Sequence, residues 1–119
     1  MDSYRHKGLR RQLVEILISK GIEDEKILDA IGTVPRHLFL DTAFAEQAYK
    51  DKALPILANQ TISQPYTVAF QTDLLDVNPT DKILEIGTGS GYQAAVLSLL
   101  CKRIYTIERH REVSQTFGF

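Results

Sequence analysis

Tryptophan is absent, cysteine and methionine occur once each, and proline occurs four times. The lone thiol, Cys101, has no partner for an internal disulfide, so packing and hydrogen bonds must hold the fold. It reads as a small filler at the end of an apolar helix. With no signal-like segment at the start, this cysteine usage leads to the expectation of a cytoplasmic protein. No apolar run approaches the roughly twenty residues that cross a bilayer, and neither a repeat nor a low-complexity segment is present. An excess of one charge is missing too: 14 Lys and Arg face 15 Asp and Glu, a formal net charge of −1. That balance gives no electrostatic reason to expect a nucleic-acid or membrane partner. The locally basic start, Arg5, His6, Lys7, Arg10 and Arg11, reads as a solvated helix beginning. His6, His37 and His110 lie in no metal-ligand spacing, so no metal is expected. The remaining composition, 44% hydrophobic and 24% charged over 119 residues, suits one small globular domain.

The first half reads as helix. Leu9, Leu13, Ile16 and Leu17 fall on one face, widened by Val14 and Ile18, and Gly21 ends that helix. Asp24 caps a second helix carrying Ile27, Leu28 and Ile31, which Gly32 closes. Short helical turns are predicted at Pro35 to Leu40 and, capped by Asp41 or Thr42, at Ala43 to Tyr49. Residues 50 to 64 read as an extended loop or short strands. Pro65 restarts helix, with Tyr66, Phe70, Leu74 and Val77 as its apolar face. Residues 1–80 are thus expected to form a helical cap with a substrate-side loop. Residues 81–119 are expected to form the first, incomplete βαβ unit of a cofactor-binding domain.

That unit carries the chemistry. Ile83-Leu84-Glu85-Ile86 is an apolar strand with one acid, followed by Gly87-Thr88-Gly89-Ser90-Gly91 and a helix from Tyr92 to Leu100. Glycine lacks Cβ, so it allows a tight turn and lets a ligand touch bare backbone. The N–H groups opening the next helix lack internal partners and suit a polar or anionic molecule. Glu108 follows about twenty residues on, after the apolar run Ile104 to Ile107. There a carboxylate can grip the two hydroxyls of a ribose. Two cofactors fit. Read from Gly89, the loop satisfies a loose dinucleotide pattern, G-x-G-x-x-A. Read from Glu85, it gives acidic-x-Gly-x-Gly-x-Gly, the first motif of class I S-adenosylmethionine methyltransferases. Glu85 favours the second, because a carboxylate repels a pyrophosphate and attracts the ammonium group of methionine. Tyr92 reads as packing at the helix start rather than as a ligand contact. Only residues 109–119 follow Glu108. Two parallel strands leave sheet edges and faces uncovered, so the chain is expected to be incomplete and to self-associate through those edges.

With these residues in view, the chain resembles the protein-L-isoaspartate O-methyltransferase family over nearly its whole length, up to about residue 110. Val34-Pro35-Arg36-His37-Leu38-Phe39 is similar to the family's VPRHxF. Gln60-Thr61-Ile62-Ser63-Gln64-Pro65-Tyr66 is similar to its GQTISQPY, with Asn59 in place of the glycine. Leu84 to Leu97 and Tyr105-Thr106-Ile107-Glu108-Arg109 carry the rest. The glycine motif alone names only the superfamily; the Thr-Ile-Ser-Gln-Pro segment is more specific. The resemblance implies a Rossmann-like methyltransferase fold, truncated after its second strand, with an N-terminal helical cap. A Gly-Asp-Gly region and C-terminal substrate segments of the family have no counterpart in these residues, and Ser114 to Phe119 match none of its patterns.

The same resemblance implies methyl transfer from S-adenosylmethionine to the free carboxylate of an isoaspartyl residue, leaving S-adenosylhomocysteine. The partners are isoaspartyl-containing peptides and proteins. A carboxylate nucleophile is already ionised at neutral pH and needs no general base, so alignment and water exclusion carry catalysis. This accords with the lack of a Ser-His-Asp pattern. By resemblance Ser63 is the active-site residue, its hydroxyl holding a substrate oxygen; on residue pattern alone the helix N-cap is the favoured reading. Thr61, Ile62 and Ser63 line the cofactor on one side; Glu85, Gly87, Thr88, Gly89, Ser90, Gly91, Glu108 and Arg109 hold it on the other. Arg36 and His37 attract the substrate carboxylate, unless they are merely a solvated helix start. Two alternatives stay open: a cofactor-binding fragment without turnover, and a nucleotide-dependent oxidoreductase.

Overall fold

Each helix begins where a side chain can satisfy its first free N–H groups. The structure, a computed structural model, describes residues 1–110; the readings made for residues 111–119 lie outside the described residues. Helix α1, Tyr4–Ser19, starts at Ser3, whose hydroxyl accepts from the His6 N–H while the His6 ring accepts from the Ser3 N–H. This is a capping box with imidazole in place of the usual carboxylate. α1 ends at Gly21, φ +100°, where the N–H groups of Gly21 and Ile22 return to the carbonyls of Ile18 and Leu17. Helix α2, Glu25–Thr33, starts at Asp24, which accepts from Lys26 and Ile27. It runs one residue past Gly32 and stops because Val34, ahead of Pro35, takes the extended conformation that a following proline imposes. Two 3-10 turns follow, Arg36–Phe39 and Thr42–Gln47, the second capped by Asp41.

Strands β1, Leu54–Pro55, and β2, Thr61–Ile62, pair antiparallel. Their loop carries Ala58 and Asn59 at φ +58° and +56°. Asparagine tolerates this left-handed conformation, which explains how it stands where the resembling family has glycine. Helix α3, Pro65–Leu75, takes its cap from a distance: the Asp51 carboxylate accepts from the Tyr66 N–H at 2.8 Å. Ser63 is therefore not the cap.

Strands β3, Lys82–Ile86, and β4, Arg103–Ile107, pair in parallel, with Glu85 opposite Thr106, and helix α4, Tyr92–Ser98, crosses between them. One buried cluster joins the four helices with β1 and β2, from Leu13 and Leu17 through Ile31 and Val68 to Val96, and takes no residue from β3 or β4. Each such side chain contributes about 1.5–3 kcal/mol by leaving water.

Three sequence expectations need correction. On α1, Ile16 and Ile18 are exposed, and Arg10 joins Leu13 and Leu17 in the buried stripe. On α3 the buried face is Val68, Ala69 and Thr72, while Phe70 and Leu74 face outward. α3 carries two apolar stripes, and the one with the smaller Ala69 is the one it buries. α4 stops at Ser98 rather than Leu100 and is not covered all round. It buries Tyr92, Val96 and Leu97, and leaves Leu99 exposed. Leu84, Ile86, Tyr105 and Ile107 are exposed as well. Their alternation puts them together on one sheet face.

Candidate cofactor-binding site

The glycine loop leaves β3 in a conformation that other residues resist. Gly87, Gly89 and Gly91 have φ of +85°, +59° and +90°. A side chain at any of them meets backbone strain whatever the space around it. The loop is pinned to the end of β4 by two backbone bonds, Gly87 N–H and Thr88 N–H both donating to the Ile107 carbonyl, at 2.7 and 3.1 Å. Gly89 N–H donates to Glu108 Oε1 at 2.8 Å, and His110 N–H donates to Oε2 at 2.6 Å. These two donors hold the Glu108 carboxyl below the usual carboxylate range.

Two adjoining hollows open around the loop. One, of about 240 Å³, lies between Thr61 on β2, Gly87, Gly89 and the end of β4, where Glu108, Arg109 and His110 line it. The other, of about 210 Å³, lies between Thr61, Ile62 and Ser63 on one wall and Glu85 and the loop residues Gly87 to Ser90 on the other. Thr61, Gly87 and Gly89 belong to both. A larger hollow, about 380 Å³, lies away from the loop beside Lys26, Asp29 and Cys101. Eleven of the thirteen residues singled out by sequence would need to meet here, and ten do. Gly91 is buried at the start of α4 and touches neither hollow, so its role is the turn itself.

Arg36 and His37 stand elsewhere. Both are buried, so neither presents a cation to a substrate carboxylate, and neither is a solvated helix start. The Arg36 guanidinium donates to the carbonyls of Ala48, Ser63 and Lys52 at 2.8, 3.1 and 3.2 Å and lies over the Tyr92 ring. His37 bonds Tyr49 Oη through Nδ1 and the Met1 carbonyl through Nε2, both at 2.8 Å. Burial pushes its pKa below the usual histidine value. Arg10 and His6, expected in solvent, join the same network. Arg10 donates to Asp2, Tyr49 and the Gly32 carbonyl, and His6 stacks on His37 with ring centroids 3.7 Å apart.

Asp2, His6 and His37 do bring potential ligand atoms within 4.8 Å of one another. Both Asp2 oxygens, both His37 nitrogens and His6 Nδ1 are engaged in hydrogen bonds, however, and lone pairs lying in the planes of two stacked rings do not converge on one ion.

Sequence reasoning missed Thr106. Its hydroxyl donates to Glu85 Oε1 at 2.7 Å and lies 2.5 Å from the Thr88 hydroxyl. The signal was available: alternation in two parallel strands puts positions 85 and 106 side by side once the register is known. Gln71 and Gln93, which line the Ser63 hollow, carried no such signal. Burial raises the Glu85 carboxyl above its usual range; the Thr106 bond opposes this and nearby Glu108 adds to it. Among the described residues no Lys, Arg or His forms an ion pair with Glu85. Tyr92 is buried at the head of α4, its phenol pushed up to about 12 by burial. It packs, as its sequence suggests, and also borders the Ser63 hollow.

A parallel β-loop-α-β unit with three left-handed glycines, capped by N-terminal helices, defines a Rossmann-like α/β fold of the methyltransferase kind. Residues 8–116 match the family described as protein-L-isoaspartate(D-aspartate) O-methyltransferase. A protein-L-isoaspartate O-methyltransferase from Christiangramia forsetii is 62% identical over 112 residues, covering 94% of this chain and 53% of that protein. One from Flavobacterium johnsoniae is 60% identical over 115 residues, covering 97% and 54%. A solved protein-L-isoaspartate O-methyltransferase superposes with a TM-score of 0.77 at 28% identity, over 92% of this chain and 37% of its own. A Plasmodium falciparum structure of that description, in complex with S-adenosyl-L-homocysteine, superposes at 0.79 and 23% identity over 92% and 53%, and supports the fold. The chain belongs to the protein-L-isoaspartate(D-aspartate) O-methyltransferase family. It spans about half the length of the curated relatives it matches. Among the described residues no helix is long and apolar enough to cross a membrane.

Proposed function

We propose that this chain supplies the cofactor pocket and the nucleophile-orienting wall of a methyltransferase that acts on isoaspartyl carboxylates. The observation that carries the reading is the Ser63 hollow, with Ser63 on one wall and Glu85 and the glycine loop on the other. The residues suit S-adenosylmethionine. Glu85 is a half-buried carboxylate that no cation pairs with among the described residues, which fits an ammonium group and opposes a pyrophosphate. Glu108, fixed by two backbone donors, fits a ribose diol. When bound, the cofactor supplies an electrophilic methyl group.

The chain's own residues do the rest. Gly87 and Gly89 keep the loop low, Glu108 and Arg109 border the nucleoside end, and Glu85 faces the amino-acid end. Ser63 Oγ donates to one oxygen of the incoming carboxylate and sets the other on line. Ile62 packs behind that wall and, with Thr61, closes it against water. No proton need be moved, because the nucleophile arrives already ionised as a carboxylate and leaves as its neutral methyl ester. The substrate is an isoaspartyl peptide or protein, the outcome is repair of that lesion, and the compartment is the cytoplasm.

The test is transfer of labelled methyl groups from S-adenosylmethionine to an isoaspartyl peptide, by this chain and by a version extended to the length of its relatives. Transfer by the extended protein supports the reading. Its absence in the extended protein, with the fold intact, overturns it. Transfer by the extended protein alone makes the short chain the binding fragment.

A further inference from the structure

Nothing on β3 itself fixes the Glu85 side chain; its partner comes from the neighbouring strand. Thr106 Oγ1 lies 2.7 Å from Glu85 Oε1 and 2.5 Å from Thr88 Oγ1. The directions of these bonds follow from proton count. A carboxylate only accepts, so the single Thr106 proton goes to Glu85, and the Thr88 hydroxyl must donate to Thr106. One chain of hydroxyls therefore runs from the glycine loop, through β4, to the acid on β3. With Glu108 gripping Gly89 from the end of β4, both acids of the site are tied to the same loop.

We propose that Thr106 is a positioning residue of the cofactor site: its hydroxyl holds Glu85 as an anion facing the Ser63 hollow and locks the Thr88 side of the loop to it. This deepens the reading of the site as one for S-adenosylmethionine and rests on it for the ligand, though not for the state of Glu85. Burial and the like charge of Glu108 both work against an ionised Glu85, and Thr106 is the group that opposes them. The other titratable groups nearby are Tyr92, from α4, whose phenol stays neutral, and His110, beside Glu108. Ser63 and α3's Gln71 are uncharged. The titration is therefore read at the Glu85 carboxyl itself.

The variants are Thr106→Val, which keeps the β-branched shape that suits a strand, and Thr106→Ser, which keeps the hydroxyl. In the ligand-free chain, an NMR titration of the Glu85 carboxyl is expected to move to a higher midpoint in T106V, by about one pH unit. It is expected to return in T106S. By calorimetry, S-adenosylhomocysteine is expected to bind T106V about tenfold more weakly near pH 6, with the gap narrowing toward pH 8 as Glu85 ionises in both. An unchanged midpoint in a folded T106V overturns the inference. A shifted midpoint in T106V, together with a wild-type chain that ignores S-adenosylhomocysteine, leaves Thr106 its hold on Glu85 and overturns the ligand reading instead.

Discussion

Arg36, with no exposed surface, donates to the Ser63 carbonyl at 3.1 Å. The residue that gives the proposed active-site serine its place is thus a buried cation paired with backbone rather than with a carboxylate. Its two other carbonyl partners lie in the segment between the second 3-10 turn and β1, and its face lies on Tyr92 at the head of α4. Arg36 therefore joins the Ser63 wall to the helix that leaves the glycine loop. Burial lowers its pKa, and even so guanidinium is the side chain most able to stay charged there.

Arg36→Lys tests this bridge. A lysine keeps one charge but cannot serve three divergent carbonyls or lie flat on a ring. Each buried acceptor left without a donor costs about 1–3 kcal/mol, so a loss on the order of 3 kcal/mol is expected in urea unfolding. An unchanged midpoint would remove the bridge from the account.

Ser63 and Glu108 should separate into different kinetic roles in a version extended to the length of the relatives. Ser63→Ala is expected to lower turnover on an isoaspartyl peptide while leaving S-adenosylhomocysteine affinity within about twofold. Glu108→Gln is expected to weaken that affinity about tenfold or more, through loss of charge-assisted ribose bonds. Titration calorimetry beside the methyl-transfer assay reads both. Equal turnover in S63A would remove its proposed role.

Glu85 should trade stability for binding. Its folded pKa is raised, so the folded state holds a proton the unfolded chain releases. Its contribution to stability is then fully present below the ordinary glutamate value and lost as pH rises through the raised one. Glu85→Gln is expected to raise the melting temperature of the ligand-free chain at pH 7 and to flatten its dependence on pH in that window. The same variant is expected to bind S-adenosylhomocysteine more weakly. Thermal melts from pH 4 to 8 read the first effect, and an E85Q protein no more stable than wild type at pH 7 would contradict it.

The apolar sheet face of Leu84, Ile86, Tyr105 and Ile107 is exposed, on a strand pair that no further strand flanks among the described residues. A second copy of the chain offers the same surface, and pairing the two removes both from water. Light scattering is expected to show association that a Leu84→Lys, Ile107→Lys double variant suppresses. A stable wild-type monomer would count against it.

The glycine loop was legible because its signal is local: glycine at alternate positions, an acid before them, and another acid one strand later. The helix caps at Ser3, Asp24 and Asp41 are equally local, although only the latter two were read. What sequence pattern could not supply is the destination of a long polar side chain. Arg10, Arg36 and His37 end on carbonyls and a phenol brought from up to 39 residues away. Nothing in a basic run or in Val-Pro-Arg-His distinguishes that from solvent. The α3 error has another cause. Phe70 and Leu74 are the larger apolar residues, but the packing partner selected the stripe with the smaller Ala69 and Thr72.

Thermal melting of this chain with S-adenosylhomocysteine and, separately, with NAD decides whether the glycine loop holds a sulfonium nucleoside or a dinucleotide. A ligand at 100 times its dissociation constant stabilises the folded state by about 2.7 kcal/mol. A saturable rise in melting temperature is expected with S-adenosylhomocysteine, lost in E108Q, and none with NAD. A rise with NAD, or no response to S-adenosylhomocysteine at millimolar concentration, would contradict it.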